Sequence, residues 1–400
     1  MAVAVGVDVA KEFHWAVLVH AETGRVLASR KVDNDPTAIQ ALIDEIRAAE
    51  AEHGPATAAV DVLGGIAGLL QVMLLDAGVR LVHVPGLAVN RARRATRGGE
   101  HKSDPRDAKV IADQIRWRAD ELRTIEPATE ADSEVRLLVG RRRELVVEQT
   151  RRIGRLRDLL ASIHPGLERV IEPTHKIDAA LLARYVTPAE IRRAGRRRIS
   201  EYLRTTGRHN TTVIDALVDK ALTAASAQHV TVPGETVAAD IVRDLARETL
   251  TCRDKLADLD KRIHEVLERH PDAALIQSLP GMRATLTAEF LAVAGGITRF
   301  PTGDQLASAA GLAPVLQQSG KMHYLRRATS GDKTLKRIFY QSAFCALQRD
   351  PASRTFYDRK RAEGKRHHQA LIALARRRIN VLHAILRTRQ PYRLDHALAA

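Results

Sequence analysis

Cysteine, aromatic residues and long apolar runs are scarce in this sequence. Its two cysteines, Cys252 and Cys345, are too few for a disulfide framework or a zinc cluster and are typical of a reducing cytosol. No run approaches the ~18 consecutive apolar residues of a membrane-spanning helix. The first residues lack the basic segment of a secretory signal and carry Asp8 within their apolar stretch. These absences exclude secreted, membrane-spanning and disulfide-rich classes, and they predict a cytoplasmic protein.

Positive charge is abundant and unevenly distributed. The 400 residues are 45% hydrophobic and 28% charged, a globular composition with room for two or three domains. Lysine and arginine total 63 against 48 acidic residues, which gives a net charge of +15. Residues 321–393 contain 19 basic and four acidic residues, so this segment alone has that excess. The asymmetry favours a nucleic-acid-binding surface over a merely solvated arginine-rich face, and the 4% of aromatic residues favours phosphate contacts over base stacking.

The first 125 residues alternate between strand and helix patterns. Apolar, β-branched runs predict three successive strands, followed by a helix, a strand, a second helix and a fifth strand. The corresponding ranges are 3–9, 15–19, 26–32, 36–51, 58–62, 66–75 and 79–84. This order predicts an α/β domain of the RNase H type around a mixed sheet.

The rest of the chain has mainly helical patterns. Residues 126–270 predict a helical connector, in which a long packed helix and a coiled coil both fit the spacing of the leucines. Residues 271–400 predict a third domain, mostly helical, that ends in the basic tail. Residues 279–296 read as helix, tight turn at Pro280 and Gly281, and helix, which is either a phosphate-binding helix-hairpin-helix unit or a plain helical hairpin.

Four aspartates stand where acidic catalytic residues are expected. Asp8 and Asp61 end the predicted first and fourth strands, which are neighbours in a sheet of the RNase H type. Asp104 and Asp107 are three residues apart at the start of a helix, and that spacing places them on one face. Four such carboxylates can hold two divalent ions, and an open site with only oxygen ligands favours Mg²⁺ or Mn²⁺.

Structural roles are the alternative for these aspartates. Asp104 precedes Pro105 and fits a helix N-cap, and Asp107 fits the negative charge that the same first turn favours. Asp61 also fits an ordinary carboxylate in a loop, without a catalytic role. Asp8 fits a structural role less well, because a charge at the end of an apolar strand needs a partner or an ion.

Several segments together resemble the DEDD insertion-sequence transposases, which are related to the Piv and MooV DNA invertases. These segments are GVDVAKEFHWAVLV, DVLGGIAGLL, KSDPRDAKVIA, LPGMRATLTAEFLA, FPTGDQLASAAGLAP and QQSGK. The resemblance covers both ends of the chain, whereas residues 165–235 match nothing in the family pattern. It implies a RuvC-like nuclease domain, a coiled-coil connector and a C-terminal transposase domain, in a bacterial protein that acts on the nucleoid.

The resemblance assigns roles to individual residues. Asp8, Asp61, Asp104 and Asp107 take the four acidic, metal-binding positions, although the family usually has glutamate where Asp61 stands. Ser319 takes the position of the nucleophilic serine, with Ser308 and Ser330 as nearby competitors.

The family mechanism is a metal-assisted attack by the serine that forms a covalent phosphoserine–DNA intermediate and conserves the phosphoester energy. In the family a noncoding RNA guides the reaction, and the separation of serine and carboxylates into different domains implies a homo-oligomer, a dimer or tetramer. The residues expected to contact nucleic acid are Arg91, Arg93, Arg94, Arg97, Lys321, Arg326, Arg327, Lys333, Lys336 and Arg337.

Three other interpretations remain. A hydrolytic nuclease or Holliday-junction resolvase would use the same carboxylates without Ser319. A non-catalytic nucleic-acid-binding protein would keep them as capping groups. A sugar kinase or actin-like ATPase is disfavoured, because Asp8 is followed by Val9, Ala10 and Lys11 and not by a phosphate-binding loop.

Overall fold

The computed structural model describes residues 1–95, 101–319, 322–326 and 328–393. The predicted site residues Arg97, Lys321 and Arg327 lie outside this description, as does the side chain of Ser319. The chain forms two compact units, Met1–Thr129 and Glu130–Ala400. In the described part, no helix is long and apolar enough to cross a membrane.

The first unit is a mixed α/β fold. Its sheet consists of β1 (Val3–Asp8), β2 (Phe13–His20), β3 (Val26–Asp33), β4 (Ala56–Val60), β5 (Arg80–His83) and β6 (Arg123–Thr124). Its helices are α1 (Pro36–His53), α2 (Gly68–Asp76), α3 (Gly86–Arg94) and α4 (Asp104–Arg118). The strand order is β3-β2-β1-β4-β5-β6, with β1 antiparallel to β2 and parallel to β4. The prediction that the first and fourth strands are neighbours is therefore confirmed.

The two faces of the sheet follow from the alternation of side chains along β1. Val3, Val5 and Val7 are fully buried in one apolar cluster, which includes residues of α1 and α2. Ala4 belongs to the cluster on the opposite face, with residues of α3 and α4. Since successive residues of a strand point to opposite faces, Gly6 and Asp8 share the α4 face with Ala4.

Gly6 brings the backbones of β1 and α4 into direct contact. A Cβ atom at this position would lie 2.0 Å from the carbonyl oxygen of Ala108 and 2.4 Å from the backbone nitrogen of Ala112. Any larger residue would push α4 away from β1. Glycine at position 6 therefore sets how near the first turn of α4 comes to the end of β1.

The second unit is mostly helical. Its helices are α5 (Glu130–Ile163), α6 (Pro165–Glu168), α7 (Lys176–Leu182), α8 (Pro188–Thr205), α9 (Thr211–Ser226), α10 (Glu235–Arg269), α11 (Ala273–Ser278), α12 (Ala284–Ala294), α13 (Gly303–Ala309), α14 (Lys333–Ala346), α15 (Pro351–Ala362) and α16 (His367–Thr388). Between α13 and α14, β7 (Val315–Ser319) and β8 (Met322–Arg326) form an antiparallel hairpin. The sequence predicts neither this hairpin nor α15.

Helices α5 and α10 form a long antiparallel pair. The Nε atom of Arg142 on α5 donates to Asp260 on α10 at 2.6 Å, and the Nε atom of Arg152 on α5 donates to Glu248 on α10 at 2.8 Å. The two helices therefore run in opposite directions, because the later residue on α5 contacts the earlier residue on α10. At 1.5 Å per residue each helix is about 50 Å long. The predicted helical character of residues 126–270 is confirmed, and the supercoiling of a coiled coil stays a prediction.

Two separate apolar cores lie along this helix pair. The terminal core contains the start of α5, the end of α10 and residues of α11–α14 and α16. The distal core contains residues of α6–α9 with the other ends of α5 and α10, and we call α6–α9 with these ends the distal bundle. Residues 165–235 thus form, together with these ends of α5 and α10, a bundle with a core separate from the terminal core. The predicted division of the chain into three domains stays a prediction.

Within residues 279–296 the structure has the predicted turn and the second helix, α12, whereas the preceding helix, α11, ends at Ser278, before the predicted segment. Gly281 has φ of 85°, and a Cβ atom there would lie 2.5 Å from the carbonyl oxygen of Ser342 on α14. The buried Arg378 donates to the carbonyl oxygen of Pro280. The glycine is therefore required by packing inside the domain, which explains the turn without a phosphate.

We expect Gly6→Ala to lower the free energy of unfolding of the first unit by about 2–3 kcal/mol, because the added methyl group meets backbone atoms that cannot rotate away. Chemical denaturation, followed by a probe in the first unit, measures the loss. Gly68→Ala in α2 is the matched control: a Cβ there meets nothing within 4 Å, so we expect no loss of stability. Equal stability of Gly6→Ala and the wild type would contradict the close contact.

Candidate active site

The parallel pairing of β1 and β4 brings Asp8 and Asp61 to one edge of the sheet. Asp8 is the last residue of β1, and Asp61 follows the last residue of β4. The register pairs Val7 with Val60, so the two chains leave the sheet side by side. The backbone N–H of Val9 donates to Oδ1 of Asp61 at 3.4 Å. The carboxyl ends of parallel strands thus give the site its first two acidic residues, as predicted.

Helix α4 adds the other two carboxylates in its first turn. Ser103 is the N-cap residue, Pro105 occupies one of the first two helical positions, and Asp104 and Asp107 are the acidic residues of the turn. The positive end of the helix dipole stabilises both negative charges. Asp107 is only 6% exposed, which is unusual for an aspartate and requires a partner.

Electrostatic repulsion connects the four carboxylates. Burial, together with the charges of Asp61, Asp107 and Asp104, raises the pKa of Asp8 to about 7. Burial also raises the pKa of Asp61, and the charge of Asp107 contributes to that rise. The negative charges of Asp61, Asp104 and Asp107 therefore all act on Asp8 in the folded chain.

Arg93 of α3 pairs with one of these carboxylates. Its Nη1 atom donates to both oxygens of Asp107, at 3.1 and 3.0 Å, and its Nη2 atom donates to Asn90 at 3.1 Å. The Arg93 side chain is 14% exposed and that of Asp107 is 8% exposed, so this ion pair is largely withdrawn from water. Arg93 thus points into the acidic site, whereas the sequence places it only among the residues that contact nucleic acid.

His83 is a further residue of this edge that the sequence analysis does not include. It is the last residue of β5 and pairs in register with Val60. Its Nε2 atom lies 3.3 Å from the carbonyl oxygen of Asp61, and its charge lowers the pKa of that aspartate. The sequence contains a pattern that indicates His83, because β5 is the next parallel strand and its carboxyl end reaches the same edge of the sheet.

The described side chains do not by themselves form a closed metal site. Within residues 1–95, 101–319, 322–326 and 328–393, no three histidine, cysteine, aspartate or glutamate side chains stand together closely enough to hold one ion. Both oxygens of Asp107 already accept hydrogen bonds from Arg93.

Ser319 lies in the second unit, at the end of the β7–β8 hairpin. It is the last residue of β7 and pairs with Met322, the first residue of β8. The opposite end of the hairpin is held where Gly311 and Gly331 meet, since a Cβ atom on Gly331 would lie 2.5 Å from the nitrogen of Gly311. The predicted serine therefore stands at the tip of a two-stranded arm.

The predicted nucleic-acid contacts differ in their surroundings. The exposed ones are Arg91, Arg94, Arg326, Lys333 and Arg337. Lys336 donates from Nζ to the carbonyl oxygen of Gly311 at 3.2 Å, and Arg337 pairs with Glu289 of α12. These last two side chains thus have contacts within the second unit.

Two family models match this chain. A DEDD-type transposase model matches residues 5–165, which include all four aspartates. The model described as the transposase IS116/IS110/IS902 family matches residues 273–358, which include Ser319. The segment that contains α6–α10 lies almost entirely between the two matches.

Individual relatives agree with these models. The 42 kDa protein of insertion element IS900 from Mycobacterium paratuberculosis is 42% identical over 98% of this chain and 96% of its own length. The pilin gene-inverting protein of Moraxella lacunata is 30% identical over 35% of this chain and 45% of its own. A T. thermophilus RuvC chain, solved in complex with a Holliday junction substrate, aligns over 31% of this chain and all of its own, with 16% identity and a TM-score of 0.25, too low to support an argument about the fold. The extent of the IS900 match and the two family models show that this chain belongs to the IS116/IS110/IS902 family of transposases.

Proposed function

We propose that this DNA transposase cuts and rejoins strands by combining a metal-dependent acidic site in its first unit with the attack of Ser319 on a phosphodiester. The observation that carries the proposal is the grouping of four aspartates at one edge of the sheet, where burial and the charges of Asp61, Asp107 and Asp104 raise the pKa of Asp8 to about 7. Such crowding of buried like charges opposes folding, so a site that retains it needs a functional reason.

The strand arrangement supports an RNase H-like, RuvC-like nuclease fold for the first unit. The sheet order 3-2-1-4-5, with only the second strand antiparallel to its neighbours among these five, includes the expected adjacency of the first and fourth strands. The carboxylates lie at the carboxyl ends of β1 and β4, which is where open α/β sheets form their sites.

The donor set fits Mg²⁺ or Mn²⁺. Asp8, Asp61, Asp104 and Asp107 offer only carboxylate oxygens, the ligands that these ions prefer. A bound divalent ion supplies positive charge to the phosphate oxygens and to the leaving oxygen. Arg93 would have to release at least one oxygen of Asp107 for that carboxylate to serve as a ligand, and the freed guanidinium could then bind a DNA phosphate.

The serine step conserves the phosphoester bond. The Oγ atom of Ser319 forms a bond to phosphorus while the bond from phosphorus to a deoxyribose oxygen breaks, so the serine loses one proton and the deoxyribose hydroxyl gains one. The position of Ser319 at the tip of an arm supports this role, because a hairpin tip can reach into a DNA backbone. The same acidic site would also serve a hydrolytic resolvase, and only the covalent adduct separates the two reactions.

Two partners complete the proposal. Ser319 and the aspartates belong to different compact units, and we propose a homo-oligomer in which the first unit of one copy serves the serine of another. We also propose that a noncoding RNA selects the DNA sequence by base pairing, while exposed arginines bind the backbone.

The raised pKa of Asp8 predicts a pH-dependent cost to stability. In the presence of a chelator, the folded protein keeps a proton on Asp8 up to about pH 7, whereas the unfolded chain loses it near the ordinary aspartate pKa of 3.8. This contribution to stability therefore falls as the pH rises between these values. We expect Asp8→Asn to melt about 2–4 °C above the wild type at about pH 8, with the difference vanishing near pH 4. Mg²⁺ should raise the melting temperature of the wild type and leave Asp8→Asn unchanged.

Asp76→Asn is the control for this experiment, because Asp76 is an exposed carboxylate at the end of α2, and we expect it to follow the wild type throughout. A wild type that gains no stability from Mg²⁺ or Mn²⁺ would contradict the metal site.

Covalent chemistry is tested with labelled element-end DNA, the cognate noncoding RNA and Mg²⁺, followed by denaturing electrophoresis. We expect protein-linked DNA from the wild type and none from Ser319→Ala or Asp104→Ala. Ser330→Ala is the matched control, since Ser330 also precedes a glycine and should keep the adduct. Nicked DNA that persists in Ser319→Ala without an adduct would show a hydrolytic nuclease instead.

A further inference from the structure

Helix α8 of the distal bundle carries a dense group of arginines around a break in its backbone. Gly195 has φ of 65° and ψ of 174°, which is not helical and divides α8 into two short helices. Five arginines on these helices are exposed, and we call them the α8 arginine surface: Arg193, Arg196, Arg197, Arg198 and Arg204.

Three of these side chains are free of acidic partners. Arg196 pairs with Asp219 of α9, and Arg197 donates from Nε to Glu201 at 2.9 Å. Arg193, Arg198 and Arg204, by contrast, form neither a hydrogen bond nor an ion pair with any described residue. Even Arg197 keeps 90% of its side chain exposed. The surface therefore presents more positive charge than its own acidic neighbours neutralise.

Three arginines of the long helix pair in the same unit have a different role. Arg142 and Arg152 on α5 bind acidic residues of α10, with their side chains 23% and 18% exposed. Arg243 on α10 pairs with Glu190 and Asp240 and is 16% exposed. Those arginines join elements of the fold, whereas the unpaired arginines of α8 contribute no such contact.

Retaining the α8 arginines costs stability. Arg196, Arg197 and Arg198 follow one another at the start of the second short helix, where the helix dipole disfavours positive charge. Adjacent like charges add to the cost. A local arrangement that conflicts with folding points to a role in binding.

The surroundings of the surface favour the backbone of a duplex over unpaired bases. Tyr185 and Tyr202 are the aromatic residues of segment 165–235. Tyr185 is 9% exposed, and the hydroxyl of Tyr202 donates to the carbonyl oxygen of Ala180 at 3.2 Å. The guanidinium of Arg184 lies over both rings, 5.4 and 4.7 Å from their centroids. Neither ring is a free platform on which bases stack, whereas exposed arginines suit phosphates.

We propose that the α8 arginine surface binds the phosphate backbone of double-stranded DNA. Neither family model covers α8, since the matches end at residue 165 and resume at residue 273. Along α5, the nearest core residues of the terminal and distal cores, Leu145 and Leu156, are about 16 Å apart. The α8 arginine surface thus belongs to the distal bundle, whose core is separate from the terminal core. This inference rests on the family's action on DNA and not on the metal or serine chemistry.

The test measures binding of the full-length protein to a fluorescent DNA duplex of about 40 base pairs over a series of salt concentrations. The test variant is the triple substitution Arg193→Ala, Arg198→Ala and Arg204→Ala. The matched control is Arg141→Ala, Arg247→Ala and Lys261→Ala, which removes three exposed but ion-paired cations from α5 and α10. Circular dichroism checks that both variants keep the helical content of the wild type.

We expect the test variant to bind DNA about tenfold more weakly than the wild type. The magnitude of the slope of log K against log salt should fall by about 2 to 3, since each duplex phosphate contact contributes about 0.9. The control variant should keep the wild-type slope, and replacement of the three arginines by lysine should restore it. An RNA duplex of the same sequence is measured in parallel.

Equal slopes for the test and control variants would overturn the proposal while leaving DNA binding by the transposase intact. A loss confined to the RNA duplex would also overturn it. A wild type that binds no duplex DNA at any salt concentration would overturn this proposal and the proposed function together.

Discussion

The acidic site depends on the backbone contact between α4 and β1 at Gly6. Because residue 6 has no side chain, the carbonyl of Ala108 and the nitrogen of Ala112 lie where a Cβ atom would stand. Asp8 follows Gly6 by two residues on the same face of β1, and Asp104 and Asp107 precede this contact on α4. A single close approach of two elements thus sets the separation between carboxylates that are about 100 residues apart in sequence.

Bringing these aspartates together lowers the stability of the folded protein and concentrates negative charge at one edge of the sheet. Burial and the neighbouring like charges raise the pKa of Asp8 to about 7, and Asp107 is almost fully buried. Arg93 offsets part of this cost by binding both oxygens of Asp107. The same guanidinium thus stabilises the metal-free protein and, at the metal site proposed above, would compete with an ion for that carboxylate. Under this proposal the site would respond to whatever draws Arg93 away, including a DNA phosphate.

The sequence predicts the parts of this protein that depend on local patterns. Alternating apolar residues predict the strands of the first unit. Strands one and four are neighbours in a sheet of the RNase H type, and this adjacency places Asp8 beside Asp61. Contacts between distant elements are less accessible: nothing in residues 86–94 indicates that Arg93 turns inward to α4. The β7–β8 hairpin escapes prediction because its strands are exposed on both faces, so no alternation marks them. The distal bundle has no family pattern to guide a sequence reading.

Diffraction from crystals of the full-length protein soaked in Mn²⁺, recorded at the manganese absorption edge, tests the account most directly. We expect an anomalous peak bounded by Asp8, Asp61 and Asp107, with Arg93 no longer bound to both oxygens of Asp107. A map with no peak among these carboxylates at millimolar Mn²⁺, and with the Arg93–Asp107 pair intact, would contradict the central claim that the acidic cluster is a metal site.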